Sequence, residues 1–111
     1  IFVDEAQFIT QNQVHSVGKI ADELNIPVMC YGIRTDFQGK LFEGSQELLA
    51  LADNLKELKT ICSMCDKKAT MVVRLDKNGK VLLEGEKVLI GGNEIYKTVC
   101  RKHFRELTKL I

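Results

Sequence analysis

The chain has 111 residues, which is enough for one domain and its core with little to spare. Its 16 basic and 15 acidic residues leave a formal net charge of +1, so the composition favours neither nucleic acid nor an anionic membrane as a partner. No apolar run approaches the ~20 residues of a membrane span, and the first residues do not have the pattern of a secretory leader. We therefore expect a protein of the reducing cytoplasm.

The first part of the chain predicts a strand–helix–strand unit. Residues 1–3 are apolar strand formers that run into two acids, Asp4 and Glu5. Residues 10–25 have apolar side chains at helical spacing, with capping residues at both ends. Residues 26–31 form a second apolar strand. This order predicts an α/β fold with a parallel sheet covered by helices.

The middle of the chain predicts a loop followed by a short helix. Residues 33–44 contain two aromatic side chains, Phe37 and Phe42, which we expect to be exposed. Gly44 is interpreted as a hinge at the end of this loop. The helix that follows is predicted over 45–52, with Ser45 as its N-cap.

From residue 56 the pattern changes to short strands and turns. Strands are predicted at 58–61, 70–75 and 80–83, and an Asn-Gly pair between the last two is a strong hairpin signal. A closing helix is predicted from about residue 98 to 110. We place a domain boundary near Lys59.

Four potential metal ligands form two closely spaced pairs in the second predicted domain. Two residues separate the ligands within each pair, so that each pair is able to turn back on one ion. The 66–99 segment between the pairs is longer than the roughly 15–20 residues of a compact zinc ribbon, which predicts a long excursion held at its base. Ordinary buried thiols or disulfides are the alternatives. We predict one closed, structural zinc site with these ligands: Cys62, Cys65, Cys100 and His103.

The two acids after the first strand are candidate catalytic groups. P-loop phosphotransferases use an apolar strand that runs into a carboxylate to hold that group beside magnesium and the nucleotide triphosphate. Asp4 and Glu5 are a weak signal taken alone, because acids at such a position often cap a strand or face solvent.

Several segments, taken in order, resemble the zinc-containing cellular (type II) thymidine kinases in a bacterial form. The segments that carry the resemblance are 4–8, 31–45, 62–65, 90–96 and 99–103. It implies a RecA-like P-loop α/β core in residues 1–59 and a zinc-ribbon-like lasso domain in residues 60–111. It also implies a homotetramer that transfers the γ-phosphate of ATP, bound with magnesium, to the 5′-hydroxyl of thymidine for DNA precursor synthesis.

The resemblance also implies roles for individual residues. Glu5 matches the catalytic base that takes the proton of the 5′-hydroxyl, while Asp4 and Gln7 match positions on the nucleotide and magnesium side. The matching nucleoside-binding positions are Phe8, Phe37, Phe42, Lys87, Val88, Leu89, Ile90, Gly91 and Tyr96. For Phe37 and Phe42, ordinary core packing stays an open alternative.

One part of the kinase pattern is missing from the sequence. The Gly-x-x-x-x-Gly-Lys-Ser/Thr loop that cradles the phosphates does not occur in it. Because the first three residues are bare strand formers without an initiator Met, we expect the chain to be the C-terminal part of a longer protein. The 111-residue chain taken alone is therefore expected to be inactive.

A function of another class stays open. A zinc-ribbon module with a partial α/β wing could be an interaction or nucleic-acid-binding domain. The near-neutral charge and the scarcity of aromatic residues interleaved with Lys or Arg disfavour that function. Thymidine binding and salt-dependent oligonucleotide binding would distinguish the two.

Overall fold

The computed structural model describes residues 1–86 and 95–111. Within them the chain forms two compact units. Unit 1 contains Ile1–Arg34 and Leu41–Lys56, and unit 2 contains Thr35–Lys40 and Glu57–Ile111. The boundary near Lys59 stays a prediction. Among the described residues, every helix is too short or too polar to cross a lipid bilayer.

Unit 1 contains the predicted strand–helix–strand arrangement, in which the two strands are parallel. Strand β1 (Phe2–Val3) pairs with β2 (Met29–Cys30), and helix α1 (Gln11–Leu24) connects them. Strand β2 is shorter than the predicted 26–31. The Pro27 carbonyl oxygen accepts a hydrogen bond of 2.8 Å from the Ile1 nitrogen, beside the paired residues of β1 and β2.

Helix α1 begins and ends at the residues that the capping signals predict. The Thr10 hydroxyl accepts a hydrogen bond from the Gln13 backbone N–H, and the Gln13 side chain accepts one from the Thr10 N–H. This reciprocal capping box satisfies two N–H groups that have no partner within the helix. Asn25 ends the helix in the left-handed conformation, at φ 55°.

Helix α2 (Glu43–Leu51) begins earlier than the sequence predicts, and Ser45 is not its N-cap. Phe42 is the N-cap, and the Ser45 hydroxyl donates to the Ile33 carbonyl oxygen at 2.5 Å. Gly44 is not a hinge, because it lies within α2 against the short 3-10 helix Ala6–Phe8. A Cβ atom there would overlap the carbonyl oxygens of that segment. The glycine therefore permits a close helix–backbone contact.

Unit 2 is built on an antiparallel sheet whose strand order is β4-β3-β5. Strand β3 (Met71–Leu75) and β4 (Val81–Leu82) form the predicted hairpin. Within its turn the Asp76 carboxylate accepts hydrogen bonds from two backbone N–H groups, and Gly79 has the positive φ of 82° that the turn needs.

The second part of unit 2 differs from the sequence prediction in two places. Residues 58–61 do not form a strand, and only Ile61 makes an isolated antiparallel bridge. Strand β5 (Ile95–Val99) includes the start of the predicted 98–110 helix, and it pairs with β3 along its whole length. Helix α3 (Arg101–Thr108) follows at once. The β-branched and aromatic residues of β5 favour a strand, and pairing with β3 overrides a helical start there.

A matched pair of glycine substitutions tests the contact at Gly44. Gly44→Ala should lower the free energy of unfolding by about 1–3 kcal/mol, the usual cost of forcing an extra methyl group into a packed site. Gly18→Ala, in α1, is the control, since a Cβ atom there has nothing within 4 Å. It should be neutral or stabilising by up to about 1 kcal/mol. Urea unfolding measures both, and equal stability of the two variants would contradict the contact.

Candidate functional site

Four side chains of unit 2 converge on one point: Cys62, Cys65, Cys100 and His103. Their ligand atoms all lie within 4.8 Å of one another. His103 Nδ1 is 3.6 Å from Cys62 Sγ and 3.3 Å from Cys100 Sγ. Cys65 Sγ is 3.8 Å from Cys100 Sγ. A tetrahedral ion with Zn–S of ~2.3 Å and Zn–N of ~2.0–2.1 Å needs S···S edges of about 3.8 Å and S···N edges of about 3.6 Å, so the residues fit zinc.

Backbone N–H groups orient the first ligand pair. The Met64 N–H lies 3.4 Å from Cys62 Sγ, and the Lys67 N–H lies 3.5 Å from Cys65 Sγ. The chain folds back within the same turn, because the Cys62 N–H donates to the Lys67 carbonyl oxygen at 2.8 Å. These N–H groups favour sulfur in its charged form, which is the form that binds metal.

The second pair is placed by the junction of β5 and α3. Cys100 is the N-cap of α3, and His103 lies in the first turn of that helix. The partial positive charge at a helix N-terminus favours a thiolate at this position. The two pairs are held together through the backbone, since the Ser63 N–H donates to the carbonyl oxygen of Thr98 in β5 at 2.9 Å.

Local hydrogen bonds by themselves change the pKa values of the four candidate ligands. Burial raises the pKa of the Cys62 thiol, but hydrogen bonds, first that of the Met64 N–H, outweigh burial and lower it to about 6. The backbone N–H of His103 lowers the pKa of the Cys100 thiol. A backbone N–H also lowers the pKa of the Cys65 thiol, but burial and the neighbouring sulfurs outweigh it and leave that pKa raised. Hydrogen bonds to the Cys62 and Cys100 sulfurs raise the pKa of His103.

In unit 1 the predicted catalytic base follows the end of β1. Glu5 has a left-handed backbone, with φ 52° and ψ 42°, and its side chain is exposed. Its backbone N–H donates to the Asp4 carboxylate at 2.9 Å. Its own carboxylate accepts a hydrogen bond of 2.5 Å from the side-chain amide of Gln7, which is buried. The magnesium-side roles of Asp4 and Gln7 stay predictions.

The predicted pocket aromatics differ in exposure from the sequence expectation. Phe37 and Phe42 are 1% and 5% exposed, so the expectation that both are exposed is wrong. Phe8 is half exposed, and its ring meets that of Phe42 edge-to-face within unit 1, with centroids 5.5 Å apart. Phe37 belongs to unit 2. Contact of these rings with a nucleoside stays a prediction.

A buried arginine, which the sequence interpretation missed, contacts two of the predicted pocket residues in unit 2. The Arg74 side chain is 1% exposed, and its guanidinium carbon lies 3.7 Å from the Phe37 ring centroid. Its Nε–H donates to the Tyr96 hydroxyl oxygen at 2.8 Å. Tyr96 therefore accepts from Arg74 and keeps its own hydroxyl hydrogen for another acceptor. The only sequence signal is a charged residue within an apolar strand.

The remaining predicted nucleoside contacts belong to one segment of the chain. Lys87, Val88, Leu89, Ile90 and Gly91 lie outside the described residues. Their role in reading the thymine edge stays a prediction.

Loss of one ligand tests the metal site. The protein produced with zinc present should contain one zinc ion per chain, and Cys100→Ser should contain much less, because a closed tetrahedral site needs all four ligands. Cys30→Ser is the control, since Cys30 is a free thiol in β2 outside the cluster. Elemental analysis of the three proteins measures this. Full zinc content in Cys100→Ser, or a Cys62–Cys65 disulfide in the parent, would contradict the site.

The hydrogen bond between Arg74 and Tyr96 should also be measurable. Tyr96→Phe keeps the ring and removes the acceptor of a buried N–H, so we expect a loss of about 1–3 kcal/mol in the free energy of unfolding. Tyr31→Phe, whose ring stacks on Phe2, is the control and should change stability by less than about 0.5 kcal/mol. Similar urea midpoints for the two variants would show that the hydrogen bond does not contribute to stability.

Comparison with known proteins assigns the chain to a family. The family model described as thymidine kinase matches residues 1–104. Over 106 residues, or 96% of this chain, it is 63% identical to the thymidine kinase of Shewanella oneidensis, 60% to that of Rhodopirellula baltica and 58% to that of Escherichia coli O157:H7. These matches cover 55%, 50% and 51% of the three relatives, so the chain spans about half their length. The resemblance noted in the sequence is thereby confirmed, and the chain belongs to the thymidine kinase family.

Proposed function

We propose that the whole protein transfers the γ-phosphate of ATP to the 5′-hydroxyl of thymidine and releases dTMP and ADP. The observation that carries this proposal is the Glu5 carboxylate at the end of β1, in a chain of which residues 1–104 match the thymidine kinase family. Ligands of open parallel sheets bind beyond the carboxyl ends of the strands. Glu5 follows β1 at such an end.

In the proposed step, Glu5 is the general base. Its carboxylate takes the proton of the 5′-hydroxyl while that oxygen forms a bond to the γ-phosphorus. The bond between the γ-phosphorus and the oxygen that bridges it to the β-phosphate breaks, and ADP leaves with the electron pair. Magnesium bound with ATP would neutralise the charge on the phosphates, and Asp4 is the proposed residue on that side.

The nucleoside would be held by aromatic and main-chain groups. Phe8 offers a half-exposed ring supported edge-on by Phe42. Tyr96 is half exposed, and its hydroxyl oxygen accepts a hydrogen bond from Arg74. Its hydroxyl hydrogen is the proposed donor to a sugar or base oxygen. Main-chain contacts of residues 87–91 with the thymine edge are also part of this proposal.

The Cys3His cluster is proposed to hold zinc in a structural role. Four protein ligands leave no open position for water or substrate, which a catalytic ion would need. We propose that residues 1–59 belong to a RecA-like P-loop core and that residues 60–111 are a zinc-ribbon-like lasso domain, with the boundary near Lys59. We propose a homotetramer in the cytoplasm. Cysteines that bind zinc as thiolates suit the reducing conditions of that compartment.

Binding distinguishes this function from that of a zinc-ribbon interaction module. Thymidine should raise the melting temperature of the whole protein at both low and high salt. Short oligonucleotides should have little effect, since the chain carries a formal net charge of +1. A salt-dependent response to oligonucleotides without a response to thymidine would favour the interaction module.

The catalytic role of Glu5 is tested by a change that keeps its shape. In the whole protein, Glu5→Gln should lower turnover by about 10²–10⁴-fold, the usual contribution of a general base, with little change in thymidine affinity. Glu23→Gln, on the exposed side of α1, is the matched control and should keep parental turnover. Steady-state kinetics measures both. Near-parental turnover of Glu5→Gln would show that Glu5 is not the base.

A further inference from the structure

We infer that Gln7 is a positioning residue, which holds the Glu5 carboxylate from the interior of unit 1. This inference rests on the proposed thymidine kinase function, in which Glu5 is the base. Gln7 is 3% exposed, whereas Glu5 is exposed. A buried amide that hydrogen-bonds an exposed carboxylate gives that carboxylate a fixed direction at the surface.

Both ends of the Gln7 amide group are engaged. Its Nε2 donates to Glu5 Oε2 at 2.5 Å, and its Oε1 accepts from the Ile33 backbone N–H at 3.3 Å. The Ile33 contact orients the amide, because oxygen accepts and nitrogen donates. A hydrogen bond to a charged acceptor is stronger than one between neutral groups. Gln7 thereby connects the catalytic acid to the segment that follows β2.

The backbone of Glu5 explains why a second restraint is useful. A non-glycine residue in the left-handed region is strained by about 1–2 kcal/mol. Strain of this kind persists where surrounding contacts determine the conformation, and it is common at functional sites. The Ala6 N–H donates to the Tyr31 carbonyl oxygen at 2.8 Å and fixes the turn on one side. The Gln7 amide restrains the side chain of Glu5, the left-handed residue in this turn.

Gly32 leaves the space that the Gln7 amide occupies. A Cβ atom built on Gly32 would lie 2.6 Å from Gln7 Oε1 and 3.0 Å from the Gln7 backbone nitrogen. Real Cβ atoms do not approach so closely, so any side chain at this position would displace Gln7. The positioning contact therefore depends on a glycine that follows β2. The next residue, Ile33, donates the backbone hydrogen bond that Gln7 accepts.

The inference predicts a loss in turnover with little loss in binding. Gln7 is buried and both ends of its amide are engaged within unit 1, so its loss should act through the direction of the Glu5 carboxylate and lower the chemical step. In the whole protein, Gln7→Met keeps most of the volume and removes the amide. It should lower kcat about 10–100-fold and leave KM for thymidine within about 3-fold, since a misplacement of about 1 Å costs up to about 10²-fold. Gln7→Asn keeps the amide on a shorter side chain and should lose kcat in the same way.

A double-mutant cycle separates positioning from general destabilisation. Because Gln7 acts through the Glu5 carboxylate, Glu5→Gln combined with Gln7→Met should be no slower than Glu5→Gln alone. A merely structural role would instead multiply the two losses. Circular dichroism and melting temperature show which variants are folded at the assay temperature. If Gln7→Met is not folded, Gln7→Asn takes its place in the cycle.

Gly32→Ala gives an independent test that leaves Gln7 itself unchanged. It should lower kcat as Gln7→Met does, and the two changes together should be no worse than either alone. Gly18→Ala in α1 is the control and should keep parental kcat, because its methyl group has nothing within 4 Å.

The outcomes distinguish the inference from the function on which it rests. A whole protein that does not phosphorylate thymidine, or that keeps its turnover in Glu5→Gln, overturns the proposed function. An active protein that Glu5→Gln impairs, but in which folded Gln7→Met and Gln7→Asn keep parental kcat, overturns the inference alone. Multiplied losses in the cycle overturn it as well.

Discussion

Burial of two candidate metal ligands in the apolar core is the constraint on which unit 2 depends. Cys62 and Cys100 pack in one cluster with Val73, Val99 and Phe104, and all five side chains are less than 5% exposed. A thiolate in such surroundings is costly unless it is hydrogen-bonded or bound to an ion. Two features would offset this cost. One is the set of backbone N–H groups that the turns direct at sulfur, and the other is a metal ion, which these ligands fit. The free energy of binding a metal ion at this point would therefore also be folding free energy.

Unit 1 has little buried apolar volume, and close backbone contacts fix its geometry instead. Gly32 and Gly44 both lie against the 3-10 helix Ala6–Phe8, and a Cβ atom on either would overlap that segment. The segment also donates a backbone hydrogen bond to Tyr31, which continues the register of the parallel pair. The turn that carries Glu5 is thus determined by its neighbours on the strand and on the helix, which is the condition for keeping a left-handed residue there.

The features that local residue patterns determine could be predicted from the sequence. The caps of α1, the Asn-Gly hairpin and the Cys3His pairs each depend on residues a few positions apart, and all three occur in the structure. Helix α2 was placed too late because Ser45 has the chemistry of an N-cap, while its hydroxyl is used by the Ile33 carbonyl oxygen. Strand β5 has no comparable local signal, because its conformation comes from pairing with β3, whose residues lie 20 to 28 positions earlier in the chain.

The least predictable residues are the buried polar ones, and these lie beside the proposed functional groups. Gln7 meets Ile33 across 26 positions, and Arg74 meets Tyr96 across 22. A Gln or an Arg is ordinarily exposed, so neither burial nor partner can be read from its neighbours in sequence. Burial leaves each amide or guanidinium few alternative partners, because an unsatisfied polar group in the interior is costly. That cost suits them to a positioning role, because each buried group donates a hydrogen bond to the polar end of a more exposed side chain, Glu5 or Tyr96.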